Sequence, residues 1–311
     1  MLQKFKNHIK DHYAEVLTTI KLMDIEERFD LVFSRFFGLY FAKIGVKLQM
    51  TPTQVSLWSL FFGVIGGTLL YFQNIWELTL LGSLIITFAG ILDSTDGQLA
   101  RMTNQGTEMG RIIDGTIDNF VFLSCYFFGC AYFFFGDIGW PIVLLGLSAG
   151  FISHTYSSAI YDFYKCDFLF YVGGFKDSKI PTVQEVRNKN WGNSFVQKAL
   201  HLIYISYTKN QYLLYTRQES TRELYEQKAF NPNTKEQFKS LYREKFGPMM
   251  FWWALIGGTN THRTLIMVFS IVGRFDLYLI VCLLKMIPLL IVVLIQKRLD
   301  QKFVKRIKLL D

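Results

Sequence analysis

The chain has 311 residues, 51% of them hydrophobic and 17% aromatic, with a net charge of +8. Its mean hydropathy is positive, which points to an integral membrane protein built from helices. Four scattered cysteines, Cys125, Cys130, Cys166 and Cys282, form no CxxC pair; this excludes a zinc ribbon or disulfide framework and leaves them as small buried hydrophobes.

In chain order, residues 1–28 carry balanced charge without an apolar run. A short soluble helix is expected there, and no cleaved signal peptide. Residues 29–48 alternate apolar and basic side chains at helical spacing (Phe33, Arg35, Phe36, Phe37, Tyr40, Phe41, Lys43, Lys47), the pattern of an amphipathic helix lying along a membrane surface. Thr51-Pro52-Thr53 then breaks the pattern. Runs long enough to cross a bilayer follow near 54–73, 78–100, 111–135, 139–163, 249–272 and 277–296. The fifth is interrupted by Gly257-Gly258-Thr259-Asn260-Thr261-His262-Arg263.

The expected fold is therefore an all-α bundle of six transmembrane helices. It has an N-terminal juxtamembrane amphipathic helix and a cytosolic helical insertion between helices 4 and 5. The corresponding segments are 1–50, 51–170 (helices 1–4), 171–248 (insertion), 249–296 (helices 5 and 6) and a basic tail, 297–311. Between 173 and 246 the insertion holds thirteen Lys and Arg against seven Asp and Glu. It is too polar for a seventh span, and its charge suits anionic headgroups or the mouth of the bundle. With the N-terminus inside, the outer loops 73–77, 136–139 and 273–276 contain Arg274 as their one positive charge. The positive-inside rule then places both termini and the insertion in the cytosol. Trp76 and Trp140 fall at the outer interface. Basic residues facing an inner leaflet argue against nucleic acid as a partner and for membrane lipids.

Four aspartates interrupt the second and third spans. Asp93 and Asp96 are three apart on one helix; Asp114 and Asp118 are four apart on the next, so each pair shares a helical face. A charge at the bilayer centre costs about 2.5–3.5 kcal/mol, and four approach about 10 kcal/mol unless neutralised. All-oxygen ligands favour Mg²⁺ or Mn²⁺, and two such ions can clamp both the attacking and the leaving oxygen of a phosphoryl transfer. Gly97, Ala100 and Gly110 leave room for a nucleotide, and Arg101 offers a planar fork of donors suited to pyrophosphate.

Read as Asp-x2-Asp-Gly-x2-Ala-Arg-x8-Gly-x3-Asp-x3-Asp, the segment 93–118 resembles the signature of the CDP-alcohol phosphotransferases at all eight fixed positions. The resemblance implies a metal site of Asp93, Asp96, Asp114 and Asp118, the first three as ligands and Asp118 near the metals. It makes Asp118 the general base for the acceptor hydroxyl. Asp93, Gly97, Ala100, Arg101, Gly110 and Asp114 would border the CDP moiety. The implied reaction is attack of an alcohol on the β-phosphorus of a CDP-alcohol with release of CMP, in phospholipid biosynthesis. Pairing as a homodimer is also common in such proteins.

The donor remains open. CDP-diacylglycerol with a polar acceptor fits the six-helix count; transfer of phosphoethanolamine or phosphocholine to a lipid acceptor is the alternative. Asn119 follows Asp118, where many phosphatidylglycerophosphate synthases carry Lys and inositol-phosphate synthases Arg, which weighs against a phosphorylated acceptor. Polar residues in the fourth and fifth spans, His154, Asp162, His262 and Arg263, are candidates for an acceptor or lipid pocket. A cation transporter with intramembrane aspartates is the reading from another class, disfavoured by the lack of an internal repeat.

Overall fold

The computed structural model describes residues 2–27, 30–215, 217 and 219–310. Phe29, the expected start of the amphipathic segment, lies outside the described residues, as do Met1, Arg28, Thr216, Gln218 and Asp311. The described residues are helical and contain no strand. The chain divides into two compact units, Met1–Gly150 with Arg263–Ile280 and Phe151–His262 with Val281–Asp311.

In the first unit, α1 (Leu2–Thr18) is followed by α2 (Arg35–Lys47), which continues a π-helical turn at Asp30–Ser34. Next come α3 (Pro52–Leu69), α4 (Trp76–Thr103), α5 (Glu108–Phe135) and α6 (Trp140–Leu147). The Thr-Pro break acts as a helix start: Thr51 Oγ1 accepts from the Gln54 N–H, Gln54 Oε1 accepts from the Thr51 N–H, and Pro52 takes the first turn. The N-terminal helix is not a separate appendage. His12 hydrogen-bonds the Phe36 carbonyl at 2.8 Å and stacks on Tyr40. Gln98 on α4 donates to Thr19 Oγ1 and to the Arg35 carbonyl.

Small residues let α3 lie against both α4 and α5. A Cβ on Gly66 would sit 2.8 Å from the Gly82 carbonyl, and Gly82 meets Gly66 in the same way. Gly63 faces Val121 and Gly67 faces Ser124. These contacts are the close backbone approach that small residues permit between membrane helices. The two aspartate-bearing helices thus share α3 as their main neighbour.

The chain passes into the second unit within a π-helical turn at Ser148–His154, which leads into α7 (Thr155–Tyr171). Residues 171–248, where a helical insertion is expected, contain α8 (Val183–Asn188), α9 (Phe195–Leu213), α10 (Glu219–Phe230) and the first half of α11 (Lys235–Gly257). The chain enters the first unit again within α12 (Thr259–Ile271), and leaves it within α13 (Phe275–Leu284) for α14 (Met286–Ile307). Tyr164 stacks on Trp253, and Tyr242 packs against Phe246 and Phe303. Arg217, between α9 and α10, ties the insertion to α7 and α14 through Asp167 and Asp300.

Among the described residues, four helical stretches are long and apolar enough to cross a membrane: Trp76–Thr103, Glu108–Phe135, Trp140–Tyr171 and Phe275–Ile307. They fit a multi-pass membrane protein. The expected count was six, and the difference lies in two places. The run 54–73 forms the 18-residue α3, which ends at Leu69. The run 249–272 is not one helix: Gly258 takes an extended conformation (φ −64°, ψ 137°) and separates α11 from α12. The break follows Gly257, where a Cβ would lie 2.7 Å from that of Tyr161 on α7, so the close approach requires glycine.

Candidate active site

The aspartates reach their positions through helix ends as much as through helix faces. α4 stops at Asn104, a left-handed cap (φ 54°). Three residues later α5 begins, with Thr107 Oγ1 accepting from the Gly110 N–H at 2.9 Å. Gly110 therefore occupies the first turn of α5, one turn ahead of Asp114. Arg101 sits in the last turn of α4, on the face of Gly97.

One carboxylate oxygen from each of Asp93, Asp96 and Asp114 lies within 4.8 Å of the other two. Three like charges at this spacing repel by roughly 4 kcal/mol per pair even at an effective dielectric of about 20. Some of the required compensation comes from the chain itself. Ser56, buried on α3, donates to Asp96 Oδ2. Arg263, buried on α12, brings Nη2 to 3.8 Å from Asp93 Oδ2 and 3.6 Å from Asp118 Oδ1. Gly90 makes room for it: a Cβ there would stand 2.8 Å from the Arg263 guanidinium carbon.

The compensation is incomplete. Asp114 Oδ1 is buried with no hydrogen-bond partner among the described residues, and so are Arg101 Nε and Nη2. A buried polar atom left unmatched costs about 1–3 kcal/mol, more when charged. An orphaned carboxylate oxygen next to two other carboxylates suits a divalent cation. Orphaned guanidinium donors one turn beyond suit an anion. The all-oxygen donor set fits Mg²⁺ or Mn²⁺.

The expected pocket residues separate. Arg263 joins Asp93 and Asp118 in the first unit. His154, Asp162 and His262 belong to the second. There the two histidine rings stack 4.0 Å apart, His262 Nε2 is 3.0 Å from Lys285 Nζ, and Asp162 accepts from Tyr207 Oη and Gln211 Nε2. Ser56 is not among the residues the sequence singles out; it is one of two serines, with Ser59, in a largely apolar helix, and nothing in the sequence separates them. Lys285, also not singled out, had a signal of its own as a lone cation within a strongly apolar run.

The family model described as CDP-alcohol phosphatidyltransferase matches residues 49–165, which contain all four aspartates, Arg101 and Ser56. An uncharacterized protein of Aquifex aeolicus (strain VF5) is 35% identical over 74 residues, 24% of this chain and 36% of that protein. The chain thus spans about a third of the length of the curated relative it matches. No solved structure matches the chain.

Proposed function

We propose, on the premise that residues 49–165 belong to the CDP-alcohol phosphatidyltransferase family, that the protein transfers a substituted phosphate from a CDP-alcohol to an acceptor alcohol and releases CMP. The observation that carries this reading is the pairing of two unmet demands. Three carboxylates from α4 and α5 converge with one oxygen of Asp114 orphaned, and the half-buried Arg101, in the last turn of α4, presents two orphaned donors. A metal alone would answer the first demand; a metal–pyrophosphate answers both.

Asp93, Asp96 and Asp114 would hold one or two Mg²⁺ or Mn²⁺ ions, which when bound supply Lewis acidity to the phosphate oxygens. Arg101 orients the pyrophosphate of CDP through its fork of N–H groups. The small Gly97, Ala100 and Gly110 leave a path for the nucleotide along the ends of α4 and α5. Asp118 stands outside the three-carboxylate cluster and beside Arg263. That placement supports its role as the base. Its oxygen takes the acceptor hydroxyl proton as the hydroxyl oxygen attacks the β-phosphorus, and the bond to the CMP oxygen breaks. Arg263 keeps the Asp118 carboxylate oriented between turnovers.

We assign CDP-diacylglycerol as the donor and a polar alcohol as the acceptor, with phospholipid as the product. On the Lys and Arg distribution, both termini and the site face the cytosol.

The test is CMP release by purified protein in lipid. CDP-diacylglycerol, CDP-ethanolamine and CDP-choline would be offered with mixed acceptors and Mg²⁺ or Mn²⁺, beside Asp118→Asn. Metal-dependent CMP release from CDP-diacylglycerol, reduced roughly 10²–10⁴-fold in the variant, is the expected result. Release from a small CDP-alcohol instead would reverse the assignment of donor. A folded sample that releases no CMP from any donor would sink the activity.

A further inference from the structure

The helix α9 is amphipathic in the reverse sense. A helix packed on a soluble core turns its apolar stripe inward and its polar face to water. In α9 the fully buried positions are Thr208 and Gln211. Its inward side mixes aromatic packing, Tyr212 on Phe163 and Tyr204 on Trp191, with polar contacts: Tyr207 Oη and Gln211 Nε2 both donate to Asp162 Oδ2 at 3.0 Å, and His201 hydrogen-bonds the Val186 carbonyl. Its outward face carries Phe195 (86% exposed), Leu202 (68%) and Leu213 (63%), with Val196 beside the first. Lys198 and Lys209 are exposed on the same stripe.

Charge decides what covers this face. From Val186 to Gln218 the sequence has no Asp or Glu, while Arg187, Lys189, Lys198, Lys209 and Arg217 are all present. A second copy of the chain would set these lysines against each other. The stripe runs the length of a 19-residue helix, about 28 Å, which matches an extended surface better than a pocket. Apolar side chains that enter acyl chains, flanked by lysines that reach phosphates, are the features of a helix in a bilayer interface.

We propose that α9 is an interfacial anchor that docks the insertion onto a phospholipid leaflet rich in anionic headgroups. Phe195, Leu202 and Leu213 enter the acyl boundary. Lys198 and Lys209 contact the headgroup phosphates. Tyr207 and Gln211 hold the opposite face to Asp162 on α7. This inference does not rest on the phosphotransferase reading.

The experiment uses the full chain in liposomes, with an environment-sensitive fluorophore on Leu202→Cys and the unsubstituted chain as the labelling background. Leu202 is exposed, so its replacement leaves the packing intact. The expected result is strong quenching by brominated acyl chains and weak quenching by aqueous iodide. Quenching by the brominated lipid should rise when phosphatidylglycerol is mixed into phosphatidylcholine. The rise should vanish in Lys198→Glu/Lys209→Glu. Iodide quenching without lipid quenching, in both lipid compositions, would overturn the proposal. So would lipid quenching that ignores phosphatidylglycerol, or self-quenching that disappears on dilution with unlabelled chain, which would make a second copy the occupant.

Discussion

Among the described residues, each unit holds a carboxylate cluster, and the pair differs in how completely it is satisfied. In the second unit, Asp167 Oδ2 accepts from Arg217 Nη1 at 2.7 Å and from Tyr242 Oη at 2.6 Å. Asp300 Oδ1 accepts from Arg217 Nε and Tyr225 Oη, and the guanidinium lies over the Tyr225 ring. Every named carboxylate there has its donors within the chain. In the first unit, Asp93, Asp96 and Asp114 crowd together with Asp114 Oδ1 orphaned, and Arg263 stands off at salt-bridge distance. A cluster that closes on itself fixes structure. One that leaves demands open implies a ligand.

The sharpest way to break this contrast is to remove the arginine from the closed cluster. Arg217→Met leaves Asp167 and Asp300 buried side by side without their cation, and breaking such a pair costs about 3–5 kcal/mol. Thermal unfolding in detergent should show that loss. A variant as stable as the parent would mean that the network is dispensable, and the comparison would fail on its structural side.

The open cluster should respond to metal, not to deletion of its own partners. Mg²⁺ or Mn²⁺ at about 100 times its dissociation constant should stabilise the parent by about 2.7 kcal/mol. Asp114→Asn should abolish that increment while unfolding near the parent's metal-free midpoint, because it relieves carboxylate repulsion. Equal metal stabilisation of Arg217→Met and the parent would confirm that the clusters act separately. No stabilisation of the parent would remove the metal from the site.

Part of the open cluster was legible in sequence, because part of its geometry is local. A spacing of three residues puts Asp93 and Asp96 on one face of α4, whereas Asp114 joins them from α5, through the packing of two helices that spacing alone does not fix. The closed cluster was illegible for the opposite reason. Arg217 lies 50 residues from Asp167 and 83 from Asp300, and no periodicity encodes such a pairing. Charge in an apolar neighbourhood marked Arg263, but nothing in the sequence separated it from His154, Asp162 and His262. The helix count is an intermediate case. Hydropathy reads 249–272 as one run, but the Gly257–Arg263 interruption that the sequence marks within it is where Gly258 turns extended, ends α11 and lets α12 begin.

A gentler test asks whether Arg263 matters through its position. Gly90→Ala would push a methyl group into the space of the guanidinium, whose flexible end can swing aside without unfolding the helices. The expected result is a fall in kcat/KM of about tenfold, near 1.4 kcal/mol, in CMP release, with less than about 1 kcal/mol lost in stability. An unchanged rate would demote Arg263 from positioning the base to balancing charge.

The smallest effect concerns a carboxylate that is satisfied at the surface. Glu185 accepts from the Thr182 N–H at 2.6 Å and from its hydroxyl at 3.0 Å, closing the capping box that starts α8. The backbone hydrogen bond from Thr182, more than any nearby cation, holds its pKa below the ordinary 4.5. A folded pKa lower than the unfolded one stabilises the protein above the unfolded value, and the stabilisation is lost as pH falls through the folded one. Glu185→Gln keeps a hydrogen-bond acceptor and discards the charge. Its unfolding midpoint should sit slightly below the parent's at pH 7 and converge with it as pH drops below about 4.5. The loss should stay smaller than the roughly 1 kcal/mol expected for Thr182→Ala, because the carboxylate is exposed and screened by solvent. A gap that widened in acid would mean that Glu185 is not held in its charged form, and that even the simplest closed carboxylate in the chain had been misread.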